Sequence, residues 1–420
     1  MILTYVNRLI PKIILILWII IPKFILNIWI NEKMIIFAKK LTVMINRILK
    51  PIIEQQFFKG KVIILLGPRQ VGKTTLMEQI KASLPPVAQP VIWLDCDEPH
   101  DRELLTNANS ADLSMVLRDV KTVIIDEAQR TPNIGLTVKL LADKFKEKQV
   151  VVTGSSSLEL ASKLNEPLTG RKFEYLLLPI STQEIINTDG MLEAIRLLET
   201  RLIYGSYPDI LCRTEDVKEL LFELANSYLF KDIYALQEVR KPELLEKLLV
   251  ALAFQIGGEV SFNELSQIVQ YDVKTVERYI NLLEQCFVIF RLNGLNRNLR
   301  NELKKGKKFY FYDNGIRNAV LQNFSPINLR QDVGALWENF FVSERLKYNM
   351  YNRRFVKSYF WRTQQQQEID LVEEIDGNFY AFELKWNEKR KVVFPENFLK
   401  AYNPQEINVV TPKNYIQFVS

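Results

Sequence analysis

A glycine-rich octapeptide constrains this 420-residue chain more than any other feature of its sequence. Residues 61–66, KVIILL, form a short apolar run rich in β-branched side chains, which predicts a buried strand. The run continues into GPRQVGKT, residues 67–74, with the spacing G-x-x-x-x-G-K-T, and then into a helix-forming segment. This order predicts a phosphate-binding loop between the carboxyl end of a strand and the start of a helix.

Each part of this loop has a predicted chemical role. The glycines let the backbone curl its N–H groups around a β-phosphate, Lys73 places a charge at the β- and γ-phosphates, and the Thr74 hydroxyl binds Mg²⁺. The sequence therefore predicts ATP and Mg²⁺ as cofactors. The residues predicted to bind the nucleotide are Gly67, Pro68, Arg69, Gln70, Val71, Gly72, Lys73, Thr74 and Thr75.

Two carboxylates follow a second apolar run, residues 122–127, TVIIDE. We predict that Asp126 holds Mg²⁺ through water and that Glu127 polarises the attacking water. A third run, residues 149–153, leads into a serine-rich turn, where Ser155 is predicted to sense the γ-phosphate or orient the water. The alternation of strands and helices over residues 61–178 predicts a parallel, doubly wound sheet with the site at the carboxyl ends of its strands.

Composition excludes several other kinds of site. One histidine and three widely spaced cysteines make a histidine-based zinc site, a His-dependent triad or a disulfide framework hard to build. The formal charge of +6 permits contact with nucleic acid or an anionic surface without requiring it.

The first 43 residues have three interpretations, and we leave them out of the fold argument. Residues 9–30 are apolar enough to approach a membrane span, but Pro22 and Lys23 lie in the middle of the segment. The segment is a membrane or surface anchor, a packed helix, or translated sequence upstream of a true start at Met44. The intact mass of the native protein distinguishes a start at Met1 from one at Met44.

Several segments together resemble one protein family. The segments LLGPRQVGKTTL, VIIDEAQR, VVTGSSSLEL, LTGRKFEYLLLPIS and GSYPDIL are similar to those of a bacterial and archaeal AAA-like ATPase family whose members carry a C-terminal domain of unknown function. The resemblance implies an ATPase core with Lys73, Glu127 and Ser155 as catalytic residues. It adds Arg171 as a catalytic arginine that reaches nucleotide in the same or a neighbouring subunit, and Arg130 as a weaker candidate. The alternative for Arg171 is a surface salt bridge.

The region from 241 to 325 has the pattern helix, short helix, helix, hairpin, which predicts a winged helix. Lys274, Thr275 and Arg278 on its third helix are predicted to face a DNA groove. The hairpin is basic, with Arg297, Arg300, Lys304, Lys305 and Lys307. The alternative is a winged helix that serves only for packing against other domains or subunits.

The C-terminal region contains two acids and a lysine on two successive predicted strands. Strand periodicity places Glu383 and Lys385 on one face, where Asp370 on the neighbouring strand completes a site for a hard metal ion such as Mg²⁺. The pattern resembles the PD-(D/E)XK nuclease superfamily, with Glu338 as the acid on the preceding helix. Ile369 stands where that superfamily usually has proline, and related domains often keep the fold for binding alone.

The sequence as a whole predicts an α/β protein: a P-loop parallel-sheet ATPase core, a helical lid, a winged helix and a nuclease-like α/β domain. We predict a cytoplasmic ATP hydrolase that couples ATP turnover to DNA binding or processing. The alternative is an ATP-dependent regulatory switch whose nuclease-like domain is a protein-interaction module. The predicted partners are ATP, DNA and further copies of the chain, with a membrane only if residues 9–30 are genuine. The predicted boundaries are 1–43 for the extension, 44–178 for the core, 179–240 for the lid, 241–325 for the winged helix and 326–420 for the nuclease-like domain.

Overall fold

The computed structural model describes residues 45–155, 168–213, 215–225, 241–295 and 306–420. All contacts reported below lie within the unit Asn46–Ser420. Residues 1–43 lie outside the described residues. The same holds for four of the basic residues predicted on the hairpin, which are Arg297, Arg300, Lys304 and Lys305.

The first half of the unit is built on a five-stranded sheet in which every pairing is parallel. The strands lie in the order β2-β3-β4-β1-β5. Three of them, β1, β3 and β4, are buried at every position, as expected for apolar strands covered by helices on both faces. The predicted α/β fold with a parallel sheet is therefore confirmed. The strands are β1 (Val62–Leu66), β2 (Val91–Asp95), β3 (Thr122–Asp126), β4 (Gln149–Gly154) and β5 (Lys172–Leu176).

Helices connect these strands and continue into the segment that follows β5. The helices up to residue 225 are α1 (Leu49–Glu54), α2 (Lys73–Ser83), α3 (Pro99–Leu105), α4 (Ser110–Val116), α5 (Ile134–Lys144), α6 (Thr182–Asp189), α7 (Met191–Arg196), α8 (Leu198–Tyr204), α9 (Pro208–Cys212) and α10 (Val217–Glu223). Helices α6 to α10 make the segment predicted as a lid almost entirely helical over its described residues.

A second sheet of seven strands forms the other half of the unit. Its order is β12-β11-β10-β9-β7-β8-β6. The strands are β6 (Glu259–Val260), β7 (Ile289–Gly294), β8 (Lys307–Phe311), β9 (Lys357–Arg362), β10 (Glu368–Ile375), β11 (Asn378–Leu384) and β12 (Glu406–Val410). The helices are α11 (Pro242–Phe254), α12 (Phe262–Val269), α13 (Val273–Gln285), α14 (Asn314–Val320), α15 (Val333–Tyr351), α16 (Glu396–Tyr402) and α17 (Ile416–Val419).

This second sheet crosses the boundary predicted at residue 325. Strand β7, from the region predicted as a winged helix, pairs in parallel with β9, from the region predicted as nuclease-like, with Asn293 opposite Tyr359. The two regions therefore share backbone hydrogen bonds and a common core, in which Leu292 and Tyr310 pack with Trp337 and Phe382. The hairpin and the C-terminal region behave as one structural layer.

Buried charges connect the helical segment after β5 to the long helix α15. Arg201 on α8 and Lys347 on α15 both pair with Glu344, at 3.0 and 2.8 Å, and all three side chains are almost fully buried. The Thr182 backbone N–H donates to the same carboxylate at 2.5 Å. Buried charges are tolerated when they are paired, and this cluster connects α15 with α6 and α8 through one carboxylate.

Within the described part of the chain, no helix combines the length and the hydrophobicity needed to cross a bilayer.

Candidate functional site

The P-loop connects β1 to α2 through a strained backbone. Gly67 and Gly72 have φ angles of 153° and 88°, and Gln70 has φ of 59°. A Cβ atom at Gly67 would lie 2.1 Å from the Leu177 carbonyl oxygen, so this position needs glycine for contact as well as for conformation. Helix α2 begins at Lys73 without a side-chain cap, which leaves its first N–H groups available to a phosphate.

The side chain of Lys73, which is predicted to bind the β- and γ-phosphates, lies inside the P-loop. Its ammonium group donates to the carbonyl oxygens of Gly67 and Pro68, at 3.0 and 2.9 Å, and the side chain is almost fully buried. A buried ammonium held by neutral carbonyls can exchange these contacts for the charged oxygens of a phosphate. The position fits a charge that binds the β- and γ-phosphates of ATP.

The two residues predicted to bind Mg²⁺ are hydrogen-bonded to each other. The Thr74 hydroxyl on α2 donates to Asp126 Oδ2 at 3.0 Å, although β4 lies between β3, which ends at Asp126, and β1, which leads into the P-loop. Burial raises the pKa of Asp126 above its ordinary value, while hydrogen bonds from Thr153 and Thr74 lower it. A hydroxyl and a carboxylate in contact at the carboxyl edge of the sheet are the donor set that Mg²⁺ prefers.

Glu127 follows Asp126 in a left-handed backbone conformation, with φ of 48°. Its N–H donates to Thr153 Oγ1 on the neighbouring strand at 3.2 Å. Thr153 also donates its hydroxyl proton to Asp126. Backbone strain at a non-glycine residue persists only where surrounding contacts enforce it, and here two strands hold the pair of acids in place.

Gln129 connects the two predicted catalytic groups, and the sequence analysis did not identify it. Its Nε2 donates to Glu127 Oε2 and, at 2.9 Å, to Ser155 Oγ. Gln129 and Ser155 are both buried. The amide therefore holds Glu127 and Ser155 in one hydrogen-bonded group at the end of β3 and β4. The sequence feature that could have identified Gln129 is its position, since it is a polar residue two positions after Glu127 in the 3₁₀ turn Ala128–Arg130.

A small cavity of about 30 Å³ opens to solvent beside the P-loop. Its lining includes Pro68, Arg69 and Ser155 together with Phe287, Tyr312 and Asp313. Burial raises the pKa of Asp313, which accepts hydrogen bonds from the N–H groups of Ser206 and Gly315. Residues at the carboxyl edge of the first sheet and residues next to β7 and β8 of the second sheet therefore line the same cavity.

Arg171 lies away from the nucleotide site of its own chain. It immediately precedes β5, and its carbonyl accepts the N–H of Val62 at the start of β1. Because β1 and β5 are parallel, this is the amino edge of the sheet, about 16 Å from the carboxyl edge at 3.3 Å per residue. Arg171 instead pairs with Asp143 at 2.9 Å. The prediction that it reaches nucleotide in the same subunit is therefore wrong, while a role in a neighbouring subunit stays a prediction. Arg130 pairs with Asp97 at 3.1 Å.

The C-terminal strands bring together the acids and lysine predicted there. Lys385 donates to Asp370 at 3.2 Å and pairs with Glu383 at 2.7 Å. Asp370 lies at a shift in register between β9 and β10, and it also accepts the N–H of Leu384 at 2.7 Å. Burial, together with the charge of Asp370, raises the pKa of Glu383 to about 7. A bulge that redirects an acid in this way is common beside functional sites.

Glu338 lies close enough to Asp370 for the two carboxylates to interact electrostatically, and its direct contacts are with two residues of β8. It accepts hydrogen bonds from Lys308 at 3.1 Å and from the Tyr310 hydroxyl at 2.7 Å, and burial raises its pKa to about 7. Lys308 also pairs with Glu368 at 2.5 Å. No group of three or more His, Cys, Asp or Glu residues in the described ranges is arranged to hold a metal ion. Asp370 and Glu383 are thus two carboxylates that share the partner Lys385, and Glu338 is held by Lys308 and Tyr310. Their role as metal ligands stays a prediction.

The residues predicted to face DNA lie on α13. Lys274 and Arg278 are exposed on this helix. Thr275 has its N–H and hydroxyl bonded to the capping residue Asp272, at 2.9 and 2.7 Å. Lys307 packs its ammonium over the ring of Phe262, 4.6 Å from the centroid. Lys274 and Arg278 are therefore the exposed basic side chains of this helix, and the guanidinium of Arg278 also packs over the ring of Tyr279, 5.4 Å from its centroid.

Family models match three successive parts of the chain. Residues 59–186 match an AAA domain. Residues 195–326 match a domain of unknown function (DUF8612), and residues 333–418 match a further domain of unknown function (DUF4143). The chain therefore contains a P-loop ATPase domain of the AAA type followed by regions similar to two domains of unknown function.

Two uncharacterized proteins are similar to this chain over about three quarters of its length. A protein of Mycobacterium tuberculosis is 27% identical over 79% of this chain and 72% of its own length. A protein of Methanocaldococcus jannaschii is 23% identical over 74% of this chain and 75% of its own length. Among solved structures, a Walker-type ATPase of Pyrococcus abyssi is 16% identical, with a TM-score of 0.44 over 66% of this chain and 96% of that chain. DnaA of Aquifex aeolicus bound to AMPPCP is 14% identical, with a TM-score of 0.29 over 56% of this chain and 86% of that chain.

Proposed function

We propose that this chain binds ATP with Mg²⁺ in the P-loop and hydrolyses the γ-phosphate bond. The observation that carries the proposal is the contact of Thr74 with Asp126 at 3.0 Å, beside the buried ammonium of Lys73. Thr74 and Asp126 would hold the Mg²⁺, which neutralises charge on the phosphate oxygens when it is bound. Lys73 would bind the β- and γ-phosphates, and Glu127 would orient the attacking water and accept its proton.

Replacing Lys73 by alanine is expected to raise the dissociation constant for ATP by about 10- to 100-fold, since a hydrogen bond to a charged group is worth about 1.5–3 kcal/mol. Equilibrium binding of ATP with Mg²⁺, measured beside the hydrolysis rate, tests this. Lys81→Ala is the matched control, because Lys81 lies on the same helix and contacts the ring of Trp93. Equal ATP affinity in the wild type and Lys73→Ala would contradict the proposed site.

We further propose that ATP turnover is coupled to DNA binding or processing by the second sheet. Two observations support this coupling. The cavity beside the P-loop is lined in part by Phe287, Tyr312 and Asp313, and the exposed side chains of Lys274 and Arg278 carry positive charge on α13. If Lys274 and Arg278 contact DNA phosphates, the affinity for DNA should fall as the salt concentration is raised.

A second candidate activity is metal-assisted cleavage of DNA at Asp370, Glu383 and Lys385. The observation that favours it is the bulge in β10, which directs Asp370 to the same lysine that Glu383 contacts. Asp370 and Glu383 would hold Mg²⁺ after Lys385 moves from between them, and Lys385 would then assist the attacking water.

Cleavage of plasmid and single-stranded DNA with Mg²⁺ or Mn²⁺, with and without ATP, tests this activity. Loss of a residue that hydrogen-bonds to a metal ligand lowers activity by roughly 10- to 100-fold. Loss of the proposed ligand in Asp370→Ala is expected to reduce the rate of DNA cleavage by at least as much. Lys73→Ala in the same assay tests coupling, because it leaves the C-terminal carboxylates unchanged. If the wild type hydrolyses ATP without cutting DNA, the result favours an ATP-dependent switch whose C-terminal region is a protein-interaction module.

A further inference from the structure

A buried arginine before the first strand contacts the P-loop from outside. Arg47 precedes α1, and its Nη1 donates to the Val71 carbonyl oxygen at 2.6 Å. Its Nη2 donates to the Leu178 carbonyl at 2.5 Å, and its Nε donates to Glu184 at 2.9 Å. In a trans peptide the C=O and the following N–H point in opposite directions, so this contact turns the Gly72 N–H away from Arg47. Arg47 thereby fixes one peptide of the loop whose N–H groups bind phosphate.

The segment Leu177–Leu178 supports the other end of the same loop. The Leu177 N–H donates to the Leu66 carbonyl at 2.8 Å, and the Leu177 carbonyl packs directly on Gly67. The Leu178 N–H donates to the hydroxyl of Tyr351 at 2.9 Å. Tyr351 is almost fully buried and is the last residue of α15, which belongs to the C-terminal region. A side chain about 280 residues downstream therefore supports both ends of the P-loop through one short segment.

We propose that Tyr351 is a positioning residue of the nucleotide site, a role that rests on the ATP-binding function proposed above. Its hydroxyl fixes Leu178, and Leu178 and Arg47 together hold the P-loop peptides of Gly67 and Val71 in the phosphate-binding conformation. Tyr351 acts through these neighbours and does not touch the nucleotide.

The position of Tyr351 makes the nucleotide site dependent on the C-terminal region. Helix α15 also carries Glu344, which is held by Arg201 and Lys347, and Glu338, which is held by Lys308. Glu338 and Tyr351 are separated along the helix by about 20 Å at 1.5 Å per residue. Helix α15 therefore connects the acidic cluster at Glu338 with the hydroxyl that supports the P-loop.

The test compares two Tyr→Phe substitutions, each of which removes one buried hydroxyl group. Tyr351→Phe removes the hydroxyl that accepts the Leu178 N–H. Tyr279→Phe is the matched control, because Tyr279 is fully buried on α13 and its hydroxyl accepts one backbone N–H, that of Lys241, at 3.0 Å. Each substitution leaves one backbone N–H without its acceptor, and Tyr351→Phe also removes the interaction of the hydroxyl with Arg47. The proposal predicts that Tyr351→Phe lowers nucleotide affinity and that Tyr279→Phe does not, whatever each costs in stability.

Tyr351→Phe is expected to raise the dissociation constant of a fluorescent ATP analogue, and the KM for ATP, by about five- to tenfold, the order of one lost buried acceptor. The kcat at saturating ATP should stay close to the wild-type value, because Glu127 and Asp126 are unchanged. Tyr279→Phe should bind the analogue as the wild type does. Arg47→Lys, which keeps the charge but not the three-way contact, should weaken binding like Tyr351→Phe and provides a second variant if Tyr351→Phe does not fold.

Two results would overturn the proposal while leaving ATP binding established. The first is wild-type affinity in both folded variants, Tyr351→Phe and Arg47→Lys. The second is an equal loss of affinity in Tyr351→Phe and Tyr279→Phe, which would indicate general destabilisation. A wild-type chain that does not bind the analogue would refute the proposed function itself, and this inference with it.

Discussion

Replacing Glu127 by glutamine is expected to slow ATP hydrolysis by about 10²- to 10⁴-fold while ATP binding is retained, because a positioned general base contributes a factor of that order. Glutamine has nearly the same size and can still accept the hydrogen bond from Gln129 through its carbonyl oxygen. It cannot take a proton from the attacking water. The substitution therefore removes the predicted chemistry and leaves the contacts of Lys73, Thr74 and Asp126 in place.

Single-turnover hydrolysis and equilibrium binding, measured on the same preparation, separate the two effects. Glu174→Gln is the control, because Glu174 is an exposed acid on β5 whose partner is Lys172. Its turnover should equal that of the wild type. If Glu127→Gln kept more than about one tenth of the wild-type rate, far above the range expected for a lost general base, another group would have to activate the water.

The P-loop could be predicted because its information is local. Residues 61–75 contain the strand, the glycines and the start of the helix in one continuous segment, and the structure reproduces that order. The contact of Thr74 with Asp126 could also be anticipated, since parallel strands bring their carboxyl ends to one edge of the sheet. The same rule applied to Arg171 would have placed it at the opposite edge, because it stands before a strand rather than after one.

Other contacts depend on packing between distant segments, which one sequence does not specify. Tyr351 approaches the P-loop because α15 packs on the segment after β5, and Lys308 neutralises Glu338 because β8 lies beside the start of α15. The pairing of β7 with β9, which joins two predicted domains into one sheet, is likewise a tertiary outcome. Gln129 was within a recognised motif, but its direction toward Ser155 follows from the turn after β3 and not from residue type.

Replacing Glu344 by glutamine is expected to lower the free energy of unfolding by about 3–5 kcal/mol, the usual cost of breaking a buried ion pair from one side. The substitution keeps the shape of the side chain but leaves the buried charges of Arg201 and Lys347 without the carboxylate that both contact. Glu396→Gln is the control, because Glu396 pairs with Lys400 on the surface, where both side chains are largely exposed. An exposed pair of this kind contributes about 0–1 kcal/mol.

The pH dependence of this difference identifies its cause. Burial alone would raise the pKa of Glu344, but the charges of Arg201 and Lys347 outweigh burial and lower its pKa to about 2. An unfolded glutamate has a pKa of about 4.3, so the native pairing contributes roughly 3 kcal/mol to the free energy of unfolding above that pH.

This contribution is lost as the pH falls toward 2, because the unfolded chain binds the proton first. Urea unfolding at pH 7 should therefore separate the wild type from Glu344→Gln widely, and the gap should narrow progressively between about pH 4 and pH 2. A gap that stays constant over this interval would show that glutamine destabilises the helix through packing and not through lost charge.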